Sequence, residues 1–201
     1  MSDTVLKTPE HTVPKAFTRA QLDWLPWLEP LAVDALTPRH VASLVDAARV
    51  KSPYFRLLAR DPDALEARTR TDKDIFYNPD AGLPRAEREL AAAATSRFNG
   101  CLYCASVHAR HAATYSKRED DVQRLLDAGV TAELGERWNA IVAASVALTA
   151  TPSSFGPEHV ERLRRAGLDD LAISDVIHAA AFFNWANRLM LSLGEPATTA
   201  G

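Results

Sequence analysis

With 201 residues, 47% of them hydrophobic and 24% charged, the chain has the make-up of one compact domain plus an extension, which excludes a disordered segment. A net charge of −3 gives no electrostatic reason to expect a nucleic-acid partner. The polar start over 1–16 lacks a basic-then-apolar leader, and the apolar stretch 177–193 is broken by His178, Asn184, Asn187 and Arg188, so no secretory signal and no membrane span are expected.

In chain order, almost every segment reads as helix. Thr37-Pro38 pairs a helix-capping residue with a first-turn proline, ahead of Val41, Leu44, Val45 and Ala48 at helical spacing. Asp61-Pro62 repeats that device before Leu65, and Asn78-Pro79 with Gly82 marks a break. An alanine-rich helix is predicted over 84–98, ended by Asn99-Gly100, and a second opens at Cys101 and runs to about Ser116. A short helix follows over 120–128, closed by Gly129. Leu134, Trp138, Ile141, Val142, Ser145 and Leu148 form one stripe of a longer one, interrupted after it by Thr151-Pro152.

Helices over 157–166 and from Leu168 to about Gly194 complete the chain. No period-two alternation longer than four residues is visible, so the expected class is all-α. The last helix is apolar on nearly all sides, and two readings stand: central to the monomer, or shared with another subunit. Arg85, Arg88, Arg97, Arg110 and Arg118 alternate with acids and read as a solvated surface.

Both cysteines of the chain lie in Cys101-Leu-Tyr-Cys104, with His108 four residues on. The cytoplasm is the expected location, and in that reducing compartment a close pair is more often catalytic or metal-binding than a structural staple. At about 100° per residue, Cys104, His108 and His111 share one broad helical face, and Cys104 meets His108 as an i,i+4 pair. A first-turn position beside free backbone N–H groups favours the thiolate, the reactive species.

Glu89 precedes Cys101 by 12 residues. The Asn99-Gly100 turn folds its helix back, where a carboxylate would orient the imidazole. Glu87 is the alternative, and the two lie about 160° apart on a helix, so they cannot both face the site. The expected chemistry is a thiol peroxidase cycle. His108, held by Glu89, takes the proton of Cys104, whose thiolate attacks a hydroperoxide; Cys101 then condenses with the sulfenic acid to a disulfide.

The pattern Glu-x11-Cys-x2-Cys-x3-His, carried by Glu89, Cys101, Cys104 and His108, resembles the alkylhydroperoxidase D (AhpD)-like, carboxymuconolactone decarboxylase superfamily in its peroxidase-related branch. Glu87-Arg88-Glu89-Leu90, Asn99-Gly100-Cys101, Ala166-Gly167-Leu168 and the closing Phe182-Phe183-Asn184-Trp185-Ala186-Asn187-Arg188-Leu189 are similar too. The resemblance implies an AhpD-like helical fold, with a helical arm over 1–78 and a redox core over 79–201. It implies Cys104 as peroxidatic, Cys101 as resolving, and Glu89 with His108 as proton relay.

It further implies a small hydroperoxide substrate, a thioredoxin-like or lipoyl-bearing reductant, no metal or bound cofactor, and assembly as a trimer or hexamer. One departure stands out: the best-studied members place a histidine between the cysteines, where this chain has Tyr103. A phenol is no base near neutral pH, which leaves the relay to Glu89 and His108. The alternative function is a non-catalytic oligomer, either redox-switched through Cys101 and Cys104 or zinc-stabilised by those thiols with His108 and His111. A tetrahedral zinc site normally draws on two separated segments, which one helical face does not offer.

Overall fold

The structure is a computed structural model that describes residues 5–8 and 11–198; the polar start read over 1–16 lies partly outside them. In chain order the elements are β1 (Leu22–Pro26), α1 (Pro38–Ser43), α2 (Pro53–Leu58), α3 (Pro62–Tyr77), α4 (Arg85–Phe98), α5 (Leu102–Ser116), α6 (Glu119–Ala128), α7 (Glu136–Thr149), α8 (Pro157–Arg165), α9 (Asp170–Leu193) and β2 (Gly194–Thr198). Two 3₁₀ turns, Val33–Ala35 and Ala47–Lys51, complete the N-terminal part. The fold is mostly α, as its sequence periodicity predicts.

Helix α4 is the axis. Every side chain from Glu87 to Ser96 is buried, because α5, α7 and α9 pack on it from different sides. Ala91, Ala92, Ala93 and Ala94 have no exposed surface, and their small side chains let the three neighbours approach closely. The last helix, α9, settles centrally in the monomer: Ile173, Val176, Phe182, Phe183 and Met190 are buried, while Trp185 and Leu191 face outward.

Asp61 caps its helix as the Asp61-Pro62 pair predicts, and Asp169 is a further cap. Asp61 accepts from the Ala64 N–H at 3.1 Å at the start of α3, and Asp169 accepts from the Ala172 N–H at 2.8 Å at the start of α9.

The strands depart from the sequence reading. β1 and β2 pair antiparallel, with Leu22 opposite Thr198 and Pro26 opposite Gly194. Only Leu22 and Trp24 are buried along β1, so the alternation spans three residues and leaves almost no periodic signal. The pairing joins segments from opposite ends of the chain, which no local pattern reveals. The Trp24 indole N–H donates to the Met190 carbonyl at 3.3 Å. A Cβ at residue 194 would fall on the Leu25 carbonyl and the Trp24 indole, which explains the glycine there.

The arginines correct a second expectation. Arg88 is 6% exposed and donates to the Ile75 carbonyl at 2.6 Å. Arg97 donates to the Leu126 carbonyl at 2.9 Å, and Arg118 to the Leu134 carbonyl at 2.5 Å, with its guanidinium 3.7 Å from the Trp138 ring. Carbonyls near helix ends lack intrahelical donors, and a guanidinium fork can satisfy them while its stem packs on apolar surface. These side chains therefore serve as internal clamps, where charge alternation alone suggested solvent.

Candidate active site

The cysteine pair is positioned by the turn between α4 and α5. Gly100 adopts a left-handed φ of 77°. Its N–H reaches the Arg97 carbonyl at 3.4 Å and the Cys101 N–H reaches the Ser96 carbonyl at 2.9 Å, the paired bonds of a Schellman stop. That geometry ends α4 and makes Cys101 the N-cap of α5. Cys104 follows in the first turn, and both thiols are free and buried.

The pKa of Cys101 is lowered, first by the neighbouring Cys104 thiol and further by the backbone N–H groups of Cys104 and Tyr103 and the Asn187 amide, which together outweigh burial. Cys104 is raised, by its bond to Cys101, then by burial and by the negative charge on Cys101. Of the two thiols, Cys101 is therefore the easier to ionise and Cys104 the harder.

Asn187 is wholly buried on α9. It donates to the Ser96 hydroxyl at 3.0 Å and accepts from the Asn99 amide at 3.1 Å, and Asn99 also donates to Asn184 at 3.1 Å. This network ties the turn before Cys101 to α9 and holds the Asn187 side chain near the two thiols, whose ionisation it favours. Sequence reading gave Asn187 no part in the chemistry. Its signal was a buried amide position within an otherwise apolar run.

Glu89 and His108 do meet. The Glu89 carboxylate, 1% exposed, accepts from His108 Nδ1 at 2.5 Å on one oxygen and from Arg85 Nε at 2.6 Å on the other. Burial alone would push its pKa up; His108 and Arg85 reverse that, and the carboxyl is held below its ordinary value. With Nδ1 committed to Glu89, Nε2 is the ring nitrogen left for chemistry. The imidazole is packed between Phe76, stacked at 5.2 Å, and Phe183, edge-on at 4.0 Å. Glu87 points elsewhere: its two oxygens take Arg137 of α7 at 2.7 and 2.8 Å. The choice left open between the two acids falls to Glu89.

Cys104, Glu89 and His108 line one open cavity of about 200 Å³; Cys101 lies behind it. Tyr103 also faces the cavity, with its pKa raised, first by burial, so it stays a phenol. His111, which shares the helical face of Cys104 and His108, is half-buried and lies on the cavity wall, with its pKa lowered first by burial. Unforeseen wall residues are Tyr54, Phe55 and Arg68, from α2 and α3. The N-terminal part therefore closes the cavity over the thiols. Among the described residues no three His, Cys, Asp or Glu side chains converge as metal ligands, and no helix is long and apolar enough to cross a membrane.

Residues 62–147 match the pattern of the carboxymuconolactone decarboxylase family. The matched stretch is a little under half of the chain. It begins with α3 and contains Glu89, both cysteines and His108. Among solved structures, the alkylhydroperoxidase AhpD core of an uncharacterized peroxidase-related protein from Ralstonia eutropha JMP134 superimposes with a TM-score of 0.72, at 23% identity, over 86% of this chain and 92% of that one. A peroxidase-related protein from Silicibacter sp. TM1040 gives 0.66 at 22% identity, over 84% and 91%. The debrominase Bmp8 gives 0.62 at 19% identity, over 82% and 88%. These likenesses establish an AhpD-like fold. Among curated proteins, none matches the chain.

Proposed function

We propose that the protein is a thiol-dependent peroxidase that cycles Cys101 and Cys104 between dithiol and disulfide. The observation that carries this reading is a buried dithiol with one sulfur, Cys104, on the wall of an open cavity beside the His108–Glu89 pair. The family match and the peroxidase-related neighbours support it.

In the proposed cycle His108 takes the proton of Cys104 as that sulfur attacks the outer oxygen of ROOH. The O–O bond breaks, Cys104 becomes a sulfenic acid, and the departing alkoxide takes a proton from His108 to leave as ROH. Cys101 then gives up its proton to the hydroxyl of the sulfenic acid and attacks sulfur, forming the Cys101–Cys104 disulfide and releasing water. The two thiols are oxidised by two electrons and the peroxide is reduced by two. An external dithiol, thioredoxin-like or lipoyl-bearing, restores the pair through a mixed disulfide.

Glu89 keeps His108 oriented throughout, and Asn187 supports whichever sulfur is charged. The cycle calls for no metal and no bound cofactor, and a cytoplasmic homo-oligomer is the proposed setting.

The wild-type protein with dithiothreitol is expected to consume several equivalents of an organic hydroperoxide per chain, followed by residual peroxide. Consumption that stops at one equivalent would leave only a redox switch. The aromatic lining favours one second reading, reductive debromination of a small ring such as the 2,3,4-tribromopyrrole bound by the debrominase variant. Bromide release with thiol present, and no peroxide turnover, would select it.

A further inference from the structure

We propose that Arg68 and Tyr54 form a carboxylate subsite in the same cavity, so that its substrate is a small hydroperoxide bearing an acid group. The inference rests on the peroxidase reading for the hydroperoxide and on independent geometry for the acid. Arg68 is 9% exposed and lines the cavity. Its Nε and Nη1 have no well-formed hydrogen bond among the described residues, and the buried Tyr54 hydroxyl has none either, its one polar neighbour being the Arg68 guanidinium itself.

The nearest counter-charge, Asp72, lies 3.5 Å from Arg68 Nη1 and is shared with Arg49 at 3.3 Å. Two guanidinium groups thus face one carboxylate, a local excess of one positive charge. A buried cation with unused donors is costly unless an anion completes it.

The donors are also held in place. The Arg68 guanidinium lies 5.4 Å from the Phe55 ring and 5.3 Å from the Phe182 ring, and stacking of that kind fixes a planar fork. A carboxylate oxygen can accept from the free Nε, with the Tyr54 hydroxyl as a further donor. Cavity volume restricts the guest to a small ring or short chain. The aromatic walls favour the ring. Cys104 lines the same space, and the positive charge of Arg68 reaches it, so a guest anchored by its acid places its other end beside the reactive sulfur.

The test compares 4-(hydroperoxymethyl)benzoate with benzyl hydroperoxide, using dithiothreitol as reductant. Wild-type protein is expected to favour the acid by about tenfold or more in kcat/KM, mainly through KM. Arg68→Gln should bring that preference close to unity, and Tyr54→Phe, a milder change for the fold, should lower it several-fold. If Arg68 served only to stabilise a Cys104 thiolate, its loss would slow both substrates alike and leave the preference intact. That outcome, or equal use of both substrates by wild-type protein, overturns the subsite. If neither hydroperoxide is consumed, the peroxidase reading fails by itself. Calorimetric titration with 4-methylbenzoate then decides the subsite: binding to wild-type protein that weakens in Tyr54→Phe supports it, and no binding overturns it.

Discussion

Cys104→Ser is expected to lower dithiol-driven hydroperoxide turnover by about a thousandfold or more, since a serine hydroxyl in that environment has no comparable nucleophilicity. Cys101→Ser should behave differently. It retains the cavity-facing sulfur but loses the resolving thiol. One slow equivalent of peroxide should then be consumed, leaving a Cys104 sulfenic acid that dimedone traps. Rates followed by peroxide loss, with mass spectrometry of the trapped adduct, separate the two roles. Turnover surviving in Cys104→Ser would remove the nucleophile assigned here; a sulfenic acid on Cys101 in the reciprocal experiment would exchange the two residues.

The electrostatics make this contrast informative. Cys101 is the easier thiol to ionise, first because of the Cys104 thiol and then through two backbone N–H groups and Asn187, whereas access from the cavity belongs to Cys104. Ease of ionisation and access lie on different sulfurs. Access decides which atom a peroxide reaches, and in the proposed cycle His108 takes the proton of Cys104 at the moment of attack.

The second large effect is at Glu89. Its carboxylate is buried between Arg85 and His108, so Glu89→Gln leaves Arg85 without its counter-charge and His108 without its anionic acceptor, and should cost about 3–5 kcal/mol of stability. Turnover should also fall about a hundredfold or more through loss of an oriented His108.

The pH dependence carries a definite sign. Glu89 is held below its ordinary value of 4.5, so folding favours its ionised form. That contribution is complete above the unfolded-state pKa and is lost as pH falls through the lower folded value. The stability gap between wild type and Glu89→Gln, read from urea unfolding, should be constant near neutrality and close below pH 4.5. A gap under about 1 kcal/mol at pH 7 would show that the pair is not buried as described.

Much of the helical frame was legible in the chain. Asp61-Pro62, Asn99-Gly100, Gly129 and Asp169 act through local backbone chemistry, and local chemistry is what a sequence displays. Glu89 and His108 were legible for a related reason: a tight turn between two helices brings fixed positions together. Arg68, Tyr54 and Asn187 were not, because each reaches the site from an element distant in sequence, and nothing in their neighbours marks that arrival. Arg88 and Arg97 misled for the opposite reason. Their charge pattern resembles a surface, and their burial depends on carbonyls at the ends of other helices. The β1–β2 pair escaped notice because its partners lie at opposite ends of the chain.

The most direct measurement is the state of both sulfurs after reduced protein receives one equivalent of hydroperoxide with no reductant present. Alkylation and peptide mass spectrometry should find both thiols lost together, with Cys101 and Cys104 joined in one internal disulfide. Two alkylated cysteines, or a lasting Cys104 sulfenic acid beside a free Cys101, would contradict the cycle.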